Sequence, residues 1–201
     1  MLEKLKTLDT QLLLYLNSHH SPFLDQIMWL FTNTYFWLPL YGLFLFLLYK
    51  NYTRAVFLVL IICIALMIAL NERLNHLSKE TIMRFRPTHE PSIESLIHTV
   101  KGYRGGMYGF YSAHAANSFS VAIFIIALLV KRHTYIIWLA LGYAILTSYS
   151  RIYLGVHYPG DIITGACVGI CFGLLFSEIF KKVHFEIQKQ QYKISSRKCD
   201  R

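Results

Sequence analysis

Ser150-Arg151-Ile152-Tyr153-Leu154-Gly155-Val156-His157-Tyr158-Pro159-Gly160-Asp161 joins two uncharged apolar runs, 134–149 before it and 162–177 after it. A guanidinium, an imidazole and a carboxylate thus share one short connector. Three further apolar runs precede it: 36–49, 55–70 and 119–130, the last extending back to Tyr111. Spanning a bilayer takes about 20 helical residues, and each run reaches that length once its less apolar flank is counted. Of the 201 residues, 55% are hydrophobic and 15% charged, against about 25% charged in an ordinary soluble domain. The pattern predicts an all-α, polytopic membrane helical bundle. It forms one domain over 1–201, with about five transmembrane helices plus an N-terminal interfacial amphipathic helix.

That first helix covers 1–20, where Leu2, Leu5, Leu8, Leu12 and Leu16 recur at helical spacing. A cleaved signal peptide fits less well, since Glu3 and Asp9 lie where its basic region belongs and no small-residue cleavage site follows. A helix lying in the outer interface is expected. The first span is expected over about 25–49, kinked at Pro39 but tolerated in a membrane. The second starts near Ala55 and runs on through Asn71-Glu72-Arg73-Leu74-Asn75-His76 to about Phe85, where Pro87 stops it. Residues 88–110 form a glycine- and aromatic-rich connection of the kind that covers sites. Gly165, Gly169 and Gly173 share one face of the last span, which suits internal helix packing first and a homodimer contact second. The four cysteines, Cys63, Cys167, Cys171 and Cys199, have no disulfide or zinc spacing and read as small apolar fillers.

The net charge of +9 does not point to nucleic acid, because no soluble basic domain carries it. It follows the membrane topology instead. Lys50 and Arg54 lie in one loop, Lys131 and Arg132 in another, and seven basic residues lie in the 181–201 tail. Excess Lys and Arg mark the cytoplasmic side, so the 183–201 tail is expected inside. The 71–110 region and the 151–157 connector are expected outside.

Three polar clusters then meet on the outer side. Lys79 and Arg86 are seven residues apart, about 20° around a continuous helix, and could grip one tetrahedral anion. A pair of snorkelling interfacial cations is the alternative. In Tyr111-Ser112-Ala113-His114, Ser112 is a natural N-cap, and a helix N-terminus is a ready anion site. His114 falls in that first turn. In the opening stretch, Pro159-Gly160 suits a helix start, which puts His157 just before the helix and Asp161 in its first turn. The carboxylate can then orient the imidazole and leave its other nitrogen free to attack. A metal at His157 and Asp161 would need further ligands that the sequence does not place nearby. Together the clusters suit phosphoryl transfer. Lys79, Arg86 and Arg151 would neutralise the equatorial oxygens, His157 would attack phosphorus, and His114 would protonate the leaving group. Opposite protonation states of the two histidines predict a bell-shaped pH–rate curve.

Lys79-x6-Arg86-Pro87, Ser112-x-His114 and Ser150-Arg151-x5-His157-x3-Asp161 resemble the three signature motifs of the type 2 phosphatidic acid phosphatase (PAP2) superfamily. The resemblance implies a metal-independent membrane lipid phosphatase without a cofactor. It makes His157 the nucleophile, His114 the acid/base and Asp161 the orienting group. Lys79, Arg86, Ser112, Ala113 (through its amide) and Arg151 become phosphate ligands. Tyr111-Ser-Ala-His114 departs from the family's usual Pro-Ser-Gly-His, which leaves the backbone less free and the helix start less rigidly set. Among bacterial relatives the candidate substrates are undecaprenyl diphosphate, a lipid A phosphate group and phosphatidylglycerol phosphate. Arg84, Lys101 and Arg104 would add headgroup contacts. The expected setting is the bacterial cytoplasmic (inner) membrane, with the site facing the periplasm or exterior. Lipid-to-lipid phosphotransfer, a vanadate-type haloperoxidase and a non-catalytic scaffold are the other readings.

Overall fold

Described over residues 2–199, with side chains over 3–193, the computed structural model is built from helices. They are α1 (Leu2–Ser18), α2 (Pro22–Thr32), α3 (Leu38–Asn51), α4 (Arg54–Ile82), α5 (Ala113–Leu129), α6 (Ile136–Tyr153) and α7 (Pro159–Cys199). Among the described residues the one β-type pairing is an isolated bridge between Phe85 and Tyr108.

Small residues put α5 at the centre. Its buried positions include Ala115, Ala116, Ser118, Ser120 and Ala122, and α7 lies directly against it through the glycine stripe. A Cβ added at Gly165 would stand 2.6 Å from the Ser112 carbonyl oxygen, and one at Gly173 2.7 Å from that of Ser120. Close backbone approach of this kind is what small residues give helices in lipid. The stripe therefore serves internal packing, and a homodimer through Gly165, Gly169 and Gly173 has no free face to use. The main apolar core, with Phe44, Leu48, Leu60, Met67, Phe124, Leu129 and Phe180, lies among α3, α4, α5, α6 and α7.

The outward faces are apolar as well. Along α4, Leu58, Ile62, Leu66 and Leu70 recur every four residues and are 52–63% exposed, a stripe that a soluble protein of this size would bury. Helix α4 and the 159–193 part of α7 are each long and apolar enough to cross a bilayer. The pair α2 and α3 passes the same test if counted as one broken span.

Several expectations change in detail. The segment expected as the first span is broken, not merely kinked: α2 and α3 meet at 72°. The break lies at Asn33, whose side chain accepts from the Tyr35 amide, while Pro39 sits harmlessly in the first turn of α3. Helix α4 stops at Ile82 rather than near Phe85, because Met83 turns left-handed (φ 47°) with its N–H on the Lys79 carbonyl. The basic segment over 183–201 continues α7 as helix as far as Cys199. On α1, Leu5, Leu8 and Leu12 of the leucine stripe point away from the bundle, 46–60% exposed, while Leu16 packs against it and Leu13 and Asn17 are buried. Cys63 is buried, but Cys167 and Cys171 lie on the exposed side of α7 and fill no core; Cys199 lies outside the described side chains.

Candidate active site

The C-terminal ends of α4 and α6 and the N-terminal ends of α5 and α7 come together on one side of the bundle. There a cavity of about 550 Å³ is lined by Lys79, Arg86, His114, Arg151, His157 and the unforeseen Tyr103. Every cluster singled out in the sequence contributes to it. The route differs for Arg86. Because α4 ends at Ile82, Lys79 and Arg86 do not share a helix face. A turn carries Arg86 back over the site, its backbone N–H on the Met107 carbonyl at 2.9 Å.

The 88–110 connection folds against that arginine. The Arg86 guanidinium donates to the Tyr108 carbonyl at 3.2 Å and the Val156 carbonyl at 3.3 Å. Gly105 (φ +69°) and Gly109 lie so near that added Cβ atoms would reach its Nη1 at 2.8 Å and its Cγ at 3.1 Å. The glycines let backbone pack where a side chain would displace the cation. From the same connection, the Tyr103 hydroxyl accepts from Arg151 Nη2 at 3.2 Å. Arg151 also donates to Thr32 at the end of α2, and its Nε, buried, has no partner among the described residues. Burial raises the Tyr103 pKa, and the charge and hydrogen bond of Arg151 more than reverse this, leaving it lowered.

His157 is 1% exposed and lies between two kinds of neighbour. Its Nε2 is 3.2 Å from Arg86 Nη1, and its Nδ1 is 3.5 Å from Asp161 Oδ2. The second distance is long for a hydrogen bond, as is common in unliganded catalytic sites. Burial, then the charges of Arg86, Arg151 and Lys79, push the His157 imidazole well below its usual range, so it is held neutral.

Asp161 is fully buried, and sequence reading missed what holds it. Its Oδ2 accepts from the Tyr158 amide at 3.0 Å, and its Oδ1 pairs with Arg84 at 2.8 Å. Arg84 also pairs with Asp9 of α1 at 2.7 Å, and it lies 3.9 Å over the Tyr158 ring. Asp9 in turn accepts the Gly160 N–H at 2.7 Å. Burial lowers the Arg84 pKa, and Asp161 and Asp9 more than offset it, so the net shift is upward. Arg84 is thus committed to carboxylates and does not line the cavity. The available signal was an aspartate on the buried face of α1, four and eight residues before Leu13 and Asn17. Lys101 stacks 4.9 Å over Trp29, and Arg104 pairs with Glu94 at 2.5 Å; neither lines this cavity.

Ser112 caps α5 as expected, its hydroxyl accepting from the Ala115 amide at 3.4 Å. It is fully buried, however, and its own N–H donates to the Asp161 carbonyl at 3.1 Å. Ala113 and His114, not the Ser112 side chain, face the cavity. Among the described residues no three His, Cys, Asp or Glu side chains gather as metal ligands.

A neutral histidine among three cations, in the wall of a cavity that runs on between apolar helices, defines a membrane protein that handles a tetrahedral anion carried on a lipid. The chain belongs to the PAP2 superfamily, whose model matches residues 60–185. It is similar to the lipid A 4'-phosphatase of Bacteroides thetaiotaomicron, 44% identical over 84% of this chain and 75% of that one. It is similar also to the lipid A 4'-phosphatase of Porphyromonas gingivalis, 36% identical over 84% and 71%. An undecaprenyl-diphosphatase of Sulfolobus acidocaldarius is 30% identical over 67% of this chain and 59% of its own length. Among solved structures, Aquifex aeolicus LpxE superposes with a TM-score of 0.65 at 26% identity, covering 85% of this chain and 95% of that one. The PAP2-type phosphatidylglycerolphosphate phosphatase of Bacillus subtilis, at 23% identity, shares the fold with a TM-score of 0.69 over 90% and 88%. The chain is an integral membrane phosphatase of the PAP2 type.

Proposed function

We propose that the chain is a metal-independent lipid phosphatase working through a phosphohistidine, and that it acts on a lipid A phosphate group or undecaprenyl diphosphate. The observation that carries this is the convergence of Lys79, Arg86 and Arg151 on His157 and His114 in one cavity that continues into an apolar groove. The identities to two lipid A 4'-phosphatases favour lipid A.

With its Nδ1–H turned to Asp161, His157 keeps the Nε2 lone pair for phosphorus. In the free site Arg86 donates to that lone pair; an arriving phosphate draws the guanidinium to its own oxygens and releases it. Nε2 forms a bond to phosphorus as the bond to the leaving oxygen breaks, and His114, which takes up a proton as the phosphate anion binds beside it, supplies the leaving oxygen with that proton. Water, deprotonated by His114, then displaces the histidine and frees phosphate. Lys79, Arg86, Arg151 and the Ala113 amide carry the charge of the equatorial oxygens in both steps. Ser112 acts through the helix start it caps.

The broken pair α2 and α3, followed by α4, α5, α6 and α7, makes five spans in one domain. Lys50, Arg54, Lys131, Arg132 and the tail then lie on the cytoplasmic side. The site faces the periplasm or exterior of the bacterial inner membrane, with α1 in the interface. Lys101 and Arg104 give the outer rim of the site a positive charge suited to an anionic headgroup.

The test is phosphate release from a panel of purified lipids in detergent, with His157→Ala as control. An acid-labile phosphoenzyme in the parent and no turnover by the variant are expected. Turnover by His157→Ala at the parent rate overturns the mechanism.

A further inference from the structure

The cavity is layered along its depth. Lys79 and Arg151 give the top of the cavity its positive charge, with His114 beside them. One helical turn lower, about 5–6 Å, α5 presents Asn117 and α6 presents Thr147, and Glu72 of α4 lies level with them. One turn lower again α4 and α5 present Ile68 and Val121, with Ile125 a further turn down, and α6 presents Tyr143, its hydroxyl paired with that of Tyr41 at 2.7 Å. The middle layer is polar, and it sits where α4 passes from its apolar half into Asn71-Glu72-Arg73.

The middle layer is also organised. Asn117 donates to Glu72 Oε1, and the Asn117 carbonyl oxygen accepts from Asn71 Nδ2 at 3.0 Å. Asn71 is further tied to the Ser120 hydroxyl at 3.0 Å. The amide chain fixes which way Asn117 points and holds the carboxylate at the cavity wall. Across from it, the Thr147 hydroxyl is buried and has no partner among the described residues. A carboxylate only accepts, so what fits beside it is a group with O–H or N–H donors.

We propose that Glu72, Asn117 and Thr147 form a subsite that reads the hydroxyl and amide groups of a phosphorylated sugar headgroup, and that it sets the enzyme against lipids whose phosphate joins hydrocarbon directly. The proposal rests on the phosphatase reading above and narrows its substrate class. A prenyl diphosphate held by the cations would lay methylene groups on Glu72, taking it from water with no bond in return, and would leave the buried Thr147 hydroxyl unpaired. A phosphosugar lipid fills the three layers in order: phosphate, hydroxylated ring, acyl chains. Sites built to hydrogen-bond a substrate reject analogues that lack the group far more strongly than apolar pockets reject an extra methylene.

The experiment measures kcat/KM of the full chain in detergent for a phosphorylated, acylated glucosamine lipid and for a polyprenyl diphosphate, in the parent, Glu72→Gln and Thr147→Val. Their ratio is the readout, because a smaller folded fraction cancels from it. The parent is expected to prefer the phosphosugar lipid by about 100-fold or more. The ratio should fall about 10- to 100-fold in Glu72→Gln and about 3- to 10-fold in Thr147→Val. Equal parent turnover of both lipids, a parent preference for the prenyl diphosphate, or variants that leave the ratio unchanged would each overturn the subsite while leaving the phosphatase reading intact. A parent that releases phosphate from neither lipid overturns both.

Discussion

Asp9 lies outside the segment matched by the PAP2 model, 60–185, yet its carboxylate holds two parts of the site. One oxygen accepts the Gly160 N–H at the start of α7. The other pairs with Arg84, which passes the contact on to Asp161. Asp9→Ala removes a helix cap, about 0.5–2 kcal/mol, and a charge-assisted hydrogen bond, about 1.5–3 kcal/mol. The two are not additive. The Arg84 side chain is 26% exposed, so water partly replaces the lost carboxylate. A total near 2 kcal/mol follows, about 30-fold if all of it reached catalysis.

Asp9→Asn divides that total. The amide oxygen still accepts from Gly160, so the cap survives, but the charge facing Arg84 is gone. Thermal unfolding in detergent and kcat/KM on a phosphorylated lipid should therefore part company. Asp9→Ala lowers both; Asp9→Asn keeps most of the thermal stability and loses about 5- to 30-fold in kcat/KM. Arg84→Gln is harsher, because it leaves the fully buried Asp161 without its cation, and removing one partner of a buried pair costs about 3–5 kcal/mol. Combining Asp9→Asn with Arg84→Gln should add little to Arg84→Gln alone, since the two act through one contact. Strict additivity in that cycle, or parent-level kcat/KM in Asp9→Asn, would refute the idea that α1 helps to aim the carboxylate.

Burial and three cations favour neutral His157, so the acid limb of the pH–kcat/KM profile should lie below the ordinary imidazole value of 6.5; a limb at or above 6.5 contradicts this. The same depression means that the unfolded chain takes up the proton first, so the thermal midpoint should fall as pH drops below about 6.5. Ser112→Ala removes the α5 cap and should cost about 0.5–2 kcal/mol, read as a lower midpoint. Gly165→Leu forces a side chain onto the Ser112 carbonyl; overpacking of about 1–3 kcal/mol or more should lower the midpoint with no change in mass by light scattering, and dissociation of an oligomer instead would contradict the internal role of that face.

Much of this was legible because the membrane restricts the choices. Apolar runs can only be helices, and the ionisable groups they cannot dissolve collect at helix ends; Lys79, His114, Arg151 and His157 were placed together on that ground alone. What stayed hidden depends on contacts between distant segments. The seven-residue spacing of Lys79 and Arg86 suggested a shared helix face, but Met83 breaks the helix and a turn delivers Arg86 instead. Arg84 looked like one more cation for a headgroup, since nothing in the sequence ties it to Asp9, 75 residues earlier. Tyr103 was one aromatic among several in a glycine-rich connection until Arg151 was found against it.

The departure at Tyr111-Ser112-Ala113-His114 from the motif it resembles, Pro-Ser-Gly-His, raises the question of what sets the start of α5 here. A proline would fix the backbone entering the helix through its ring. Here the same segment is held from outside. Asn75 Nδ2 donates to the Tyr111 carbonyl at 2.6 Å, and the Ser78 hydroxyl donates to that of Phe110 at 3.2 Å. Both donors stand on the last turns of α4, beside Lys79. The helix that supplies a phosphate cation therefore also fixes the amides entering α5, and the Ser112 N–H ties that start to the Asp161 carbonyl. The glycine is dispensable for a related reason: Ala113 already has helical geometry as the first residue of α5, so no unusual backbone angle is asked of it. Rigidity that a single residue type can supply locally is here distributed over α4, α5 and α7.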